Sequence, residues 1–526
     1  MTSTPGTRNP HRYLTLVLGL GFLWLLLMLG QMFYVPVDRD EGFYLLASQL
    51  TAQGKHPYLD FFYPQMPYLP VFYGLFFKLA GSSLYTGRLL SVLSSAMLAT
   101  SLIWFVYRTY RTWWLAGVAL GLYAYQPLIL AWHSRLKAYA VSDLFMFFAF
   151  LFLTVASAKK RPWILIGLAG ICFGLAVNCR LIFAFLLPLL LLWIGLVFVW
   201  QKKSPALIAL GLFLLCSLVT SSYSLWLLLQ DPFAFWFNNV RFHYLSHPHL
   251  SWTMRMVQRF ESIQGFWGHP PGAFMAVLAF AGVIVSIQKI RKNLRSGISS
   301  PEVLAGGLMA VLLMLYLQMS PTYDQYFLQL FPYAAVISLP VLITIKNQLS
   351  RFPGSALKPL VASVAIFFII SGISSSLGRI TLRGRVGPLM HQTPTLDAVQ
   401  EYVAQSAQPG EHVITWWPGY ATQCELKIWP HLEFGGAGYR VADKLPAKIV
   451  DRLTLEKREN TMKTIEAEEN VWIIDGIDTP QEIRRIIRSR CEHLAEIGGV
   501  AIYRNPPAPP VTQLSGVYPA KCTVSH

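Results

Sequence analysis

Apolar residues run along this chain in blocks of about 20, separated by short polar connections, and one helix needs about that many to cross a bilayer. The blocks fall at 13–35, 88–107, 113–132, 139–156, 163–177, 181–200, 206–229, 272–287, 303–319, 326–345 and 359–373. They predict a membrane all-α domain of about 11 transmembrane helices over residues 1–380. Two connections are much longer than the others, 36–87 and 231–271, and both are aromatic. The first reads as two interfacial helices, 41–53 and 68–79, separated by Gly54-Lys55-His56-Pro57 and Tyr63-Pro64-Gln65-Met66-Pro67. Beyond 373 the pattern shortens. Helical runs at 396–404, 448–469 and 480–497 alternate with strand-like runs at 412–417, 470–475 and 500–504, which predicts a small α/β domain over 381–526 with an unstructured tail from 506.

Composition agrees with the pattern. The 526 residues are 54% hydrophobic and only 13% charged, well outside soluble proportions. Basic residues gather on alternate short connections: Arg8 and Arg12, Arg108 and Arg111, Lys159 to Arg161, Lys202 and Lys203, Lys289 to Arg295, and Lys346 with Arg351. The positive-inside rule makes these loops cytoplasmic. The expectation is a multi-pass inner (plasma) membrane protein with a cytoplasmic N-terminus and a periplasmic or extracytoplasmic C-terminal domain. The net charge of +17 is then mostly this bias facing anionic membrane lipid, and nucleic acid is not an expected partner. The first apolar block is too long for a secretory signal core, and Gln31-Met32-Phe33-Tyr34 is no small-residue cleavage site, so it reads as a signal anchor. Of six cysteines, Cys172, Cys179 and Cys216 read as apolar packing residues. Cys424, Cys491 and Cys522 fall outside, where one disulfide is permitted; Cys424 with Cys491 is the pairing expected, although spacing does not establish it.

The carboxylates of the membrane part are few: Asp38, Asp40, Glu41, Asp60, Asp143, Asp231, Glu261, Glu302 and Asp324. All but Glu302 fall on one predicted face. Topology depends hardly at all on acidic residues, so their gathering asks for another explanation. Val37-Asp38-Arg39-Asp40-Glu41-Gly42 opens the first long connection directly after the first span. A carboxylate at that depth is half desolvated, which raises its proton affinity and suits it to take a proton from a hydroxyl. The same six residues also read as a helix start capped by Asp40.

The continuation is more specific. Asp38-Arg39-Asp40-Glu41-Gly42-Phe43-Tyr44, then Gly54-Lys55-His56-Pro57-Tyr58-Leu59-Asp60-Phe61-Phe62-Tyr63-Pro64, then Gly87-Arg88-Leu89-Leu90-Ser91 resembles the first loop of bacterial GT-C glycosyltransferases. These polytopic enzymes take a sugar from a polyprenyl phosphate on the outer face, and their relatives include lipid A aminoarabinose transferases and protein O-mannosyltransferases. The resemblance extends more loosely to Ser134-Arg135 through Asp143-Leu144 and to Tyr326 through Pro332. It implies a GT-C-like membrane fold and a catalytic carboxylate at Asp40, with Glu41 beside it. Aminoarabinose transferases carry a Glu in the second part of this loop where this chain has Gln65, which cannot act as a base. Relatives often have His before the tyrosine matching Tyr326; here it is Gln325.

The implied reaction is inverting transfer of a hexosyl or pentosyl group from a polyprenyl-phosphate-linked sugar donor to a hydroxyl of a lipid, glycan or protein acceptor. Asp40 is the general base, with Glu41 or Asp60 tuning its charge or holding the sugar. Tyr63 and Gln65 are assigned to substrate binding. Arg135, Lys137, Arg180 and Arg241 are candidates for the departing phosphate, because Arg grips phosphate bidentately; each also reads as a snorkelling residue at a span end. Arg180 stands against the inside bias, so its position needs a reason. Asp143 either pairs with Arg135 or Lys137 or helps bind the sugar. His243, His247 and His249 are interrupted by Pro248 and lack helical i, i+4 spacing, so no metal site is expected. No cofactor is assigned, and a divalent cation is left open. Trp416, Trp417 and Tyr420 are expected to fill the core of the C-terminal domain, otherwise read as an accessory module. The competing function is a transporter or flippase of a lipid-linked saccharide, which would normally show inverted halves and ionisable groups at mid-membrane.

Overall fold

The computed structural model of the chain describes residues 10–201, 206–246, 250–351, 393–424, 426–468 and 470–505, with isolated positions between 363 and 374. Helix α1 (Pro10–Tyr34) leads to the first long connection, where α2 (Glu41–Ala52) and α3 (Tyr68–Ala80) pack on each other. Then come α4 (Leu84–Tyr110), α5 (Trp113–Ala124), α6 (Pro127–Trp132), α7 (Ala138–Ser157) and α8 (Trp163–Cys179). A 3-10 turn, Leu181–Leu186, enters α9 (Leu187–Gln201); α10 (Ala206–Thr220) and α11 (Ser222–Gln230) follow. The second long connection holds α12 (Pro232–Trp236), a π-helical turn Phe237–Arg241, α13 (Phe242–Ser246) and α14 (Trp252–Trp267). After α15 (Pro270–Lys292), α16 (Leu294–Ile298) and α17 (Pro301–Gln318), a 3-10 segment Asp324–Leu330 runs into α18 (Phe331–Arg351).

Seven helical stretches among the described residues are long and apolar enough to cross a membrane, and eight when α10 and α11, bent by 57°, count as one span. Their outward faces carry large exposed side chains such as Leu16, Phe22, Leu192 and Phe280, as lipid contact requires. The protein is therefore an integral multi-pass membrane protein. The block at 113–132 breaks into α5 and α6, because Pro127 lacks an N–H and holds Gln126 extended. The block at 163–177 is the 17-residue α8, which rises only about 25 Å. It packs closely on α10: a Cβ on Gly170 or Gly174 would lie 2.4 Å from the Phe213 carbonyl or 2.7 Å from that of Ser217. Block 359–373, and the boundary expected at 380/381, lie largely outside the described residues.

The C-terminal part is a five-stranded sheet with helices. Its elements are α19 (Thr393–Ser406), β1 (His412–Thr415), β2 (Lys427–Ile428), α20 (Gly436–Ala442), α21 (Ala447–Arg452), α22 (Arg458–Ala467), β3 (Trp472–Asp475), α23 (Gln481–Arg490), β4 (Glu492–Ile497) and β5 (Val500–Arg504). The strand order is β2-β1-β3-β5-β4, parallel on both sides of β1 and antiparallel around β5. Three expectations need correction. The helix expected at 480–497 ends at Arg490, and its second half is β4, turned onto β5 by Gly498 and Gly499 at φ 56° and 81°. The run 448–469 splits into α21 and α22. The expected Cys424–Cys491 disulfide is absent: both thiols are free, Cys424 buried beside the carbonyls of Gln400 and Tyr420, Cys491 beside Asn505 Oδ1.

This sheet domain sits directly on the first long connection. One hydrophobic core runs from Val37, Phe43 and Tyr63 through Trp417 and Tyr420 to Ile474 and Ile502. Gly42 makes the approach possible, since a Cβ there would fall 2.6 Å from the Trp417 ring and 2.8 Å from the Gly419 nitrogen. Trp417 Nε1 donates to the Arg39 carbonyl at 2.7 Å, Thr393 to that of Phe33 at 2.7 Å, and Gln49 to that of Thr422 at 2.7 Å. Trp416, Trp417 and Tyr420 are fully buried, as core residues.

Candidate active site

Asp38, Asp40 and Glu41 are neighbours in sequence with different surroundings. Glu41, in the first turn of α2, is completely buried against an equally buried Arg88 of α4. Arg88 Nε and Nη2 grip its two oxygens at 2.8 and 2.7 Å, and the same carboxylate accepts the backbone N–H groups of Leu136 at 2.9 Å and Asp38 at 2.8 Å. Arg88 Nη1 also donates to the carbonyls of Met32 and Val35, at 2.7 and 3.1 Å. One ion pair thus ties the end of α1, the start of α2, and the Arg135–Lys137 segment into a single corner. Glu41 is not among the residues lining the cavity that its neighbours face.

The corner presents Asp38, Asp40 and Lys137 to a cavity of about 620 Å³. Lys137 Nζ lies 2.5 Å from Asp38 Oδ1 and 2.8 Å from Asp40 Oδ2, over the Trp132 ring at 4.8 Å. Burial pushes the Asp38 carboxyl up, but Lys137 and Arg135 outweigh it and hold the group below the usual carboxylate range. Burial likewise works against a charged Lys137, and the two aspartates overcome it and keep the ammonium well above the ordinary lysine value. Asp40 is different in being open: its side chain is 54% exposed, and Oδ1 accepts no hydrogen bond among the described residues. Its expected role as a helix cap is not realised, since it makes no side-chain bond to the first turn of α2.

Arg180, between α8 and the 3-10 turn, lines the same cavity. Its guanidinium stands over the rings of Tyr139 at 4.5 Å and Tyr326 at 5.7 Å, with no carboxylate paired to it among the described residues. Three buried polar atoms on residues that line this one cavity lack a partner there: Arg180 Nη1, the Tyr63 hydroxyl and Asn239 Oδ1. Buried polar groups are almost always satisfied, so a cluster of orphans around one space marks where ligand groups belong. The lining carries Arg39, Lys137, Arg180 and Arg440 against Asp38 and Asp40, a net positive surface that suits an anionic ligand.

The remaining candidates separate cleanly. Gln65 lines the cavity and donates to the Tyr44 hydroxyl at 2.5 Å. Asp60 is exposed and turned away, accepting the His56 N–H at 2.6 Å in a local turn. Arg135 is buried behind Lys137, its guanidinium over Trp132 at 4.6 Å and its Nε at 3.4 Å from the Pro36 carbonyl. Arg241 is exposed over the Tyr244 ring, outside the lining. Asp143 is not paired with Arg135 or Lys137. Six residues beyond Lys137 it is about 240° around the helix, and it meets His133 Nε2 at 3.3 Å and the side-chain amide of Gln329. His243 lines the cavity; His247 and His249 lie outside the described residues. No group of three metal-ligating side chains occurs among the described residues.

No family model and no curated protein sequence matches the chain. Solved structures do. ArnT from Cupriavidus metallidurans bound to undecaprenyl phosphate superposes with a TM-score of 0.65 at 12% identity, covering 94% of this chain and 98% of that one. The same enzyme in the apo state gives 0.64 at 13%. The chain has the GT-C fold. The Archaeoglobus fulgidus oligosaccharyltransferase in its apo form, another GT-C glycosyltransferase, gives 0.50 at 12% identity over 87% of this chain and 69% of that one.

Several residues lining the cavity of this fold escaped the sequence reading. Arg39 pairs with Asp478, and Phe434, Ala437 and Arg440 reach the cavity from the sheet domain. The C-terminal part therefore forms a wall of the cavity. Phe434 packs on Phe43, Phe62 and Phe242, at ring separations of 4.8, 5.2 and 5.5 Å. Asn239 sits in the π-helical turn, whose extra residue per turn re-aims side chains and often marks functional sites. A run of Phe233, Phe235, Trp236 and Phe237 before Asn238-Asn239 was the available signal.

Proposed function

We propose that the protein is an inverting glycosyltransferase that moves a sugar from a polyprenyl-phosphate donor to an acceptor hydroxyl at the outer face of the membrane. The observation that carries this reading is one cavity holding both an open carboxylate oxygen, Asp40 Oδ1, and an uncommitted guanidinium, Arg180. The similarity in fold to ArnT, solved with undecaprenyl phosphate, supports the donor class. The cytoplasmic bias of Lys and Arg supports the sidedness.

In this scheme the acceptor O–H gives its proton to Asp40 Oδ1. The acceptor oxygen forms its bond to the anomeric carbon as the bond from that carbon to the phosphate oxygen breaks, and the electron pair departs on the phosphate. A single displacement inverts the anomeric centre. Lys137 fixes the other oxygen of Asp40 so that Oδ1 faces the acceptor, and Arg180 takes the leaving charge, held flat by Tyr139 and Tyr326. Tyr63 and Asn239 supply a hydroxyl and a carbonyl for sugar hydroxyls, with Gln65 beside them. Glu41 and Arg88 position this machinery from outside the cavity.

The test is hydrolysis by water, or transfer to an added alcohol acceptor, of a panel of undecaprenyl-phosphate-linked pentoses and hexoses by purified protein. Release of undecaprenyl phosphate by wild type, and its loss in Asp40→Asn with unchanged thermal stability, is the expected result. Wild-type rates in Asp40→Asn exclude Asp40 as the base. Absence of turnover on every donor, with facilitated crossing of the intact lipid-linked sugar between leaflets, replaces the enzyme reading with a flippase.

A further inference from the structure

Arg39 stands next to Asp40, the group assigned above to proton abstraction, and a free guanidinium there would be the natural partner for the open Oδ1. It is not free. Arg39 Nε and Nη2 are both engaged by the carboxylate of Asp478, which arrives from the loop after β3, 439 residues along the chain. Asp478 is almost fully buried, its side chain 3% exposed.

The local backbone is shaped around that contact. Asp478 sits at φ 66°, in the left-handed region that Asp tolerates but most residues avoid. Gly436 opens the adjoining space, because a Cβ there would lie 2.6 Å from the Asp478 carbonyl. Trp417 Nε1 pins the Arg39 carbonyl at 2.7 Å, and Gly42 lets the Trp417 ring reach it. The sheet domain thus holds Arg39 by both its main chain and its side chain. A buried ion pair is weak evidence for stability by itself, since desolvation consumes much of the attraction. Its position one residue from the base gives it another consequence.

We propose that Asp478 is a positioning residue that works across the domain boundary: it sequesters Arg39 so that Asp40 keeps an open oxygen. This rests on the role of Asp40 proposed above. Besides Arg39, the cations lining the cavity with Asp40 are Lys137, Arg180 and Arg440, with His243 on the same wall and Arg135 behind Lys137; Asp38 and Asp478 are its neighbouring carboxylates. The phenols that feel it, Tyr44, Tyr139, Tyr323 and Tyr326, carry no charge near neutral pH. Lys137 already neutralises Asp38 and holds Asp40 Oδ2. A second cation on Oδ1 would block the approach of the acceptor hydroxyl and lower the proton affinity of the carboxylate.

The two members of the pair therefore shift the reaction in opposite directions. Asp478→Asn releases Arg39 onto Asp40. An added cation within about 4–6 Å lowers a carboxylate pKa by about 1–3 units. The acid limb of the pH–rate profile moves down by about one unit, and kcat at neutral pH falls several-fold with little change in KM for the donor. Arg39→Gln leaves the Asp478 charge uncompensated beside Asp40, so the acid limb moves up. Arg39→Gln with Asp478→Asn returns both limb and kcat toward wild type.

The experiment uses the full chain in lipid nanodiscs. It follows release of undecaprenyl phosphate between pH 4 and 9 from whichever undecaprenyl-phosphate-linked sugar the wild type turns over. Opposite shifts in the single variants, cancelled in the double, are the expected result. An acid limb that stays in place in every variant, or moves the same way in both singles, overturns this inference and leaves Asp40 untouched. If Asp478→Asn fails to fold, the upward shift in Arg39→Gln and its loss in the double variant decide the question. No wild-type turnover of any donor overturns the glycosyltransferase reading instead.

Discussion

Glu41→Gln is the perturbation that best separates the two acids at the start of α2. Glu41 accepts four hydrogen bonds: two from Arg88, one from the Leu136 N–H and one from the Asp38 N–H. Glutamine keeps one acceptor oxygen and turns an NH₂ group toward donors that cannot use it. It also leaves Arg88, fully buried, without a counter-charge. Removing one partner of a buried pair costs about 3–5 kcal/mol, because the other charge stays buried and uncompensated. A stranded backbone N–H adds about 1–3 kcal/mol, although the two contributions overlap and do not add in full. The buried free thiols of Cys172, Cys179 and Cys424 provide the readout, since a thiol-reactive dye reports unfolding in detergent directly. The expected result is a Tm lowered by several degrees or more, with turnover falling in step as the corner carrying Asp40 and Lys137 loosens. Glu41→Gln together with Arg88→Met recovers part of the loss, as replacing a whole buried pair costs less than halving it. An unchanged Tm with abolished turnover would refute the reasoning and return Glu41 to the chemistry.

Tyr63→Phe removes a buried hydroxyl that has no partner among the described residues; it is expected to leave the fold as stable or slightly more so while lowering kcat/KM, measured by thermal unfolding and donor turnover together. Arg180→Gln should weaken donor use by about tenfold or more, the worth of one or two charge-assisted hydrogen bonds, and Arg180→Lys should recover only part of it because an ammonium lacks the planar fork that lies on Tyr139. Saturation curves with the donor check both. Lys448→Cys places a thiol on the exposed start of α21 and is expected to react with an impermeant reagent in intact cells, whereas labelling only after permeabilisation would invert the proposed topology.

Much of the membrane architecture was legible because apolar length is a direct consequence of bilayer thickness. Blocks 13–35, 88–107 and 139–156 became α1, α4 and α7 with shifts of a few residues at their ends. The interfacial pair at 41–53 and 68–79 matches α2 and α3 almost to the residue, since Gly54 and the Pro64–Pro67 segment bound it. Failures have local causes. Pro127 cuts block 113–132 into two, a break that hydropathy alone does not register. Glu492 to Ile497 reads as helix by composition, yet the Gly498-Gly499 turn pairs it with β5, so a two-residue hairpin signal prevailed over propensity. The disulfide expected from the predicted outer location did not form, because Cys424 is enclosed by α19 and the turn after β1 while Cys491 lies near β5.

The site was legible where a short motif carried it and hidden where the fold assembled it. Asp40, Lys137, Tyr63, Gln65 and Arg180 could be named in advance, and all of them line the cavity. Arg440, Phe434 and Asp478 could not, since nothing near Asp40 in sequence points to a partner 438 positions away. Glu41 shows the subtler limit. It is chemically equivalent to Asp40 and adjacent to it, so residue type alone does not separate the two acids; the resemblance put the base at Asp40 but gave Glu41 a place in the chemistry rather than in the fold. One residue is about 100° around a helix, and at the first turn of α2 that rotation moves the carboxylate from the cavity into the corner held by Arg88. The direction depends on where α4 places Arg88, and Ser83 sets that placement by capping α4, accepting the Thr86 N–H at 3.0 Å. The distinction between an acid that opens onto the cavity and one that is buried in the corner is therefore made by helix packing, which a sequence motif containing both does not record.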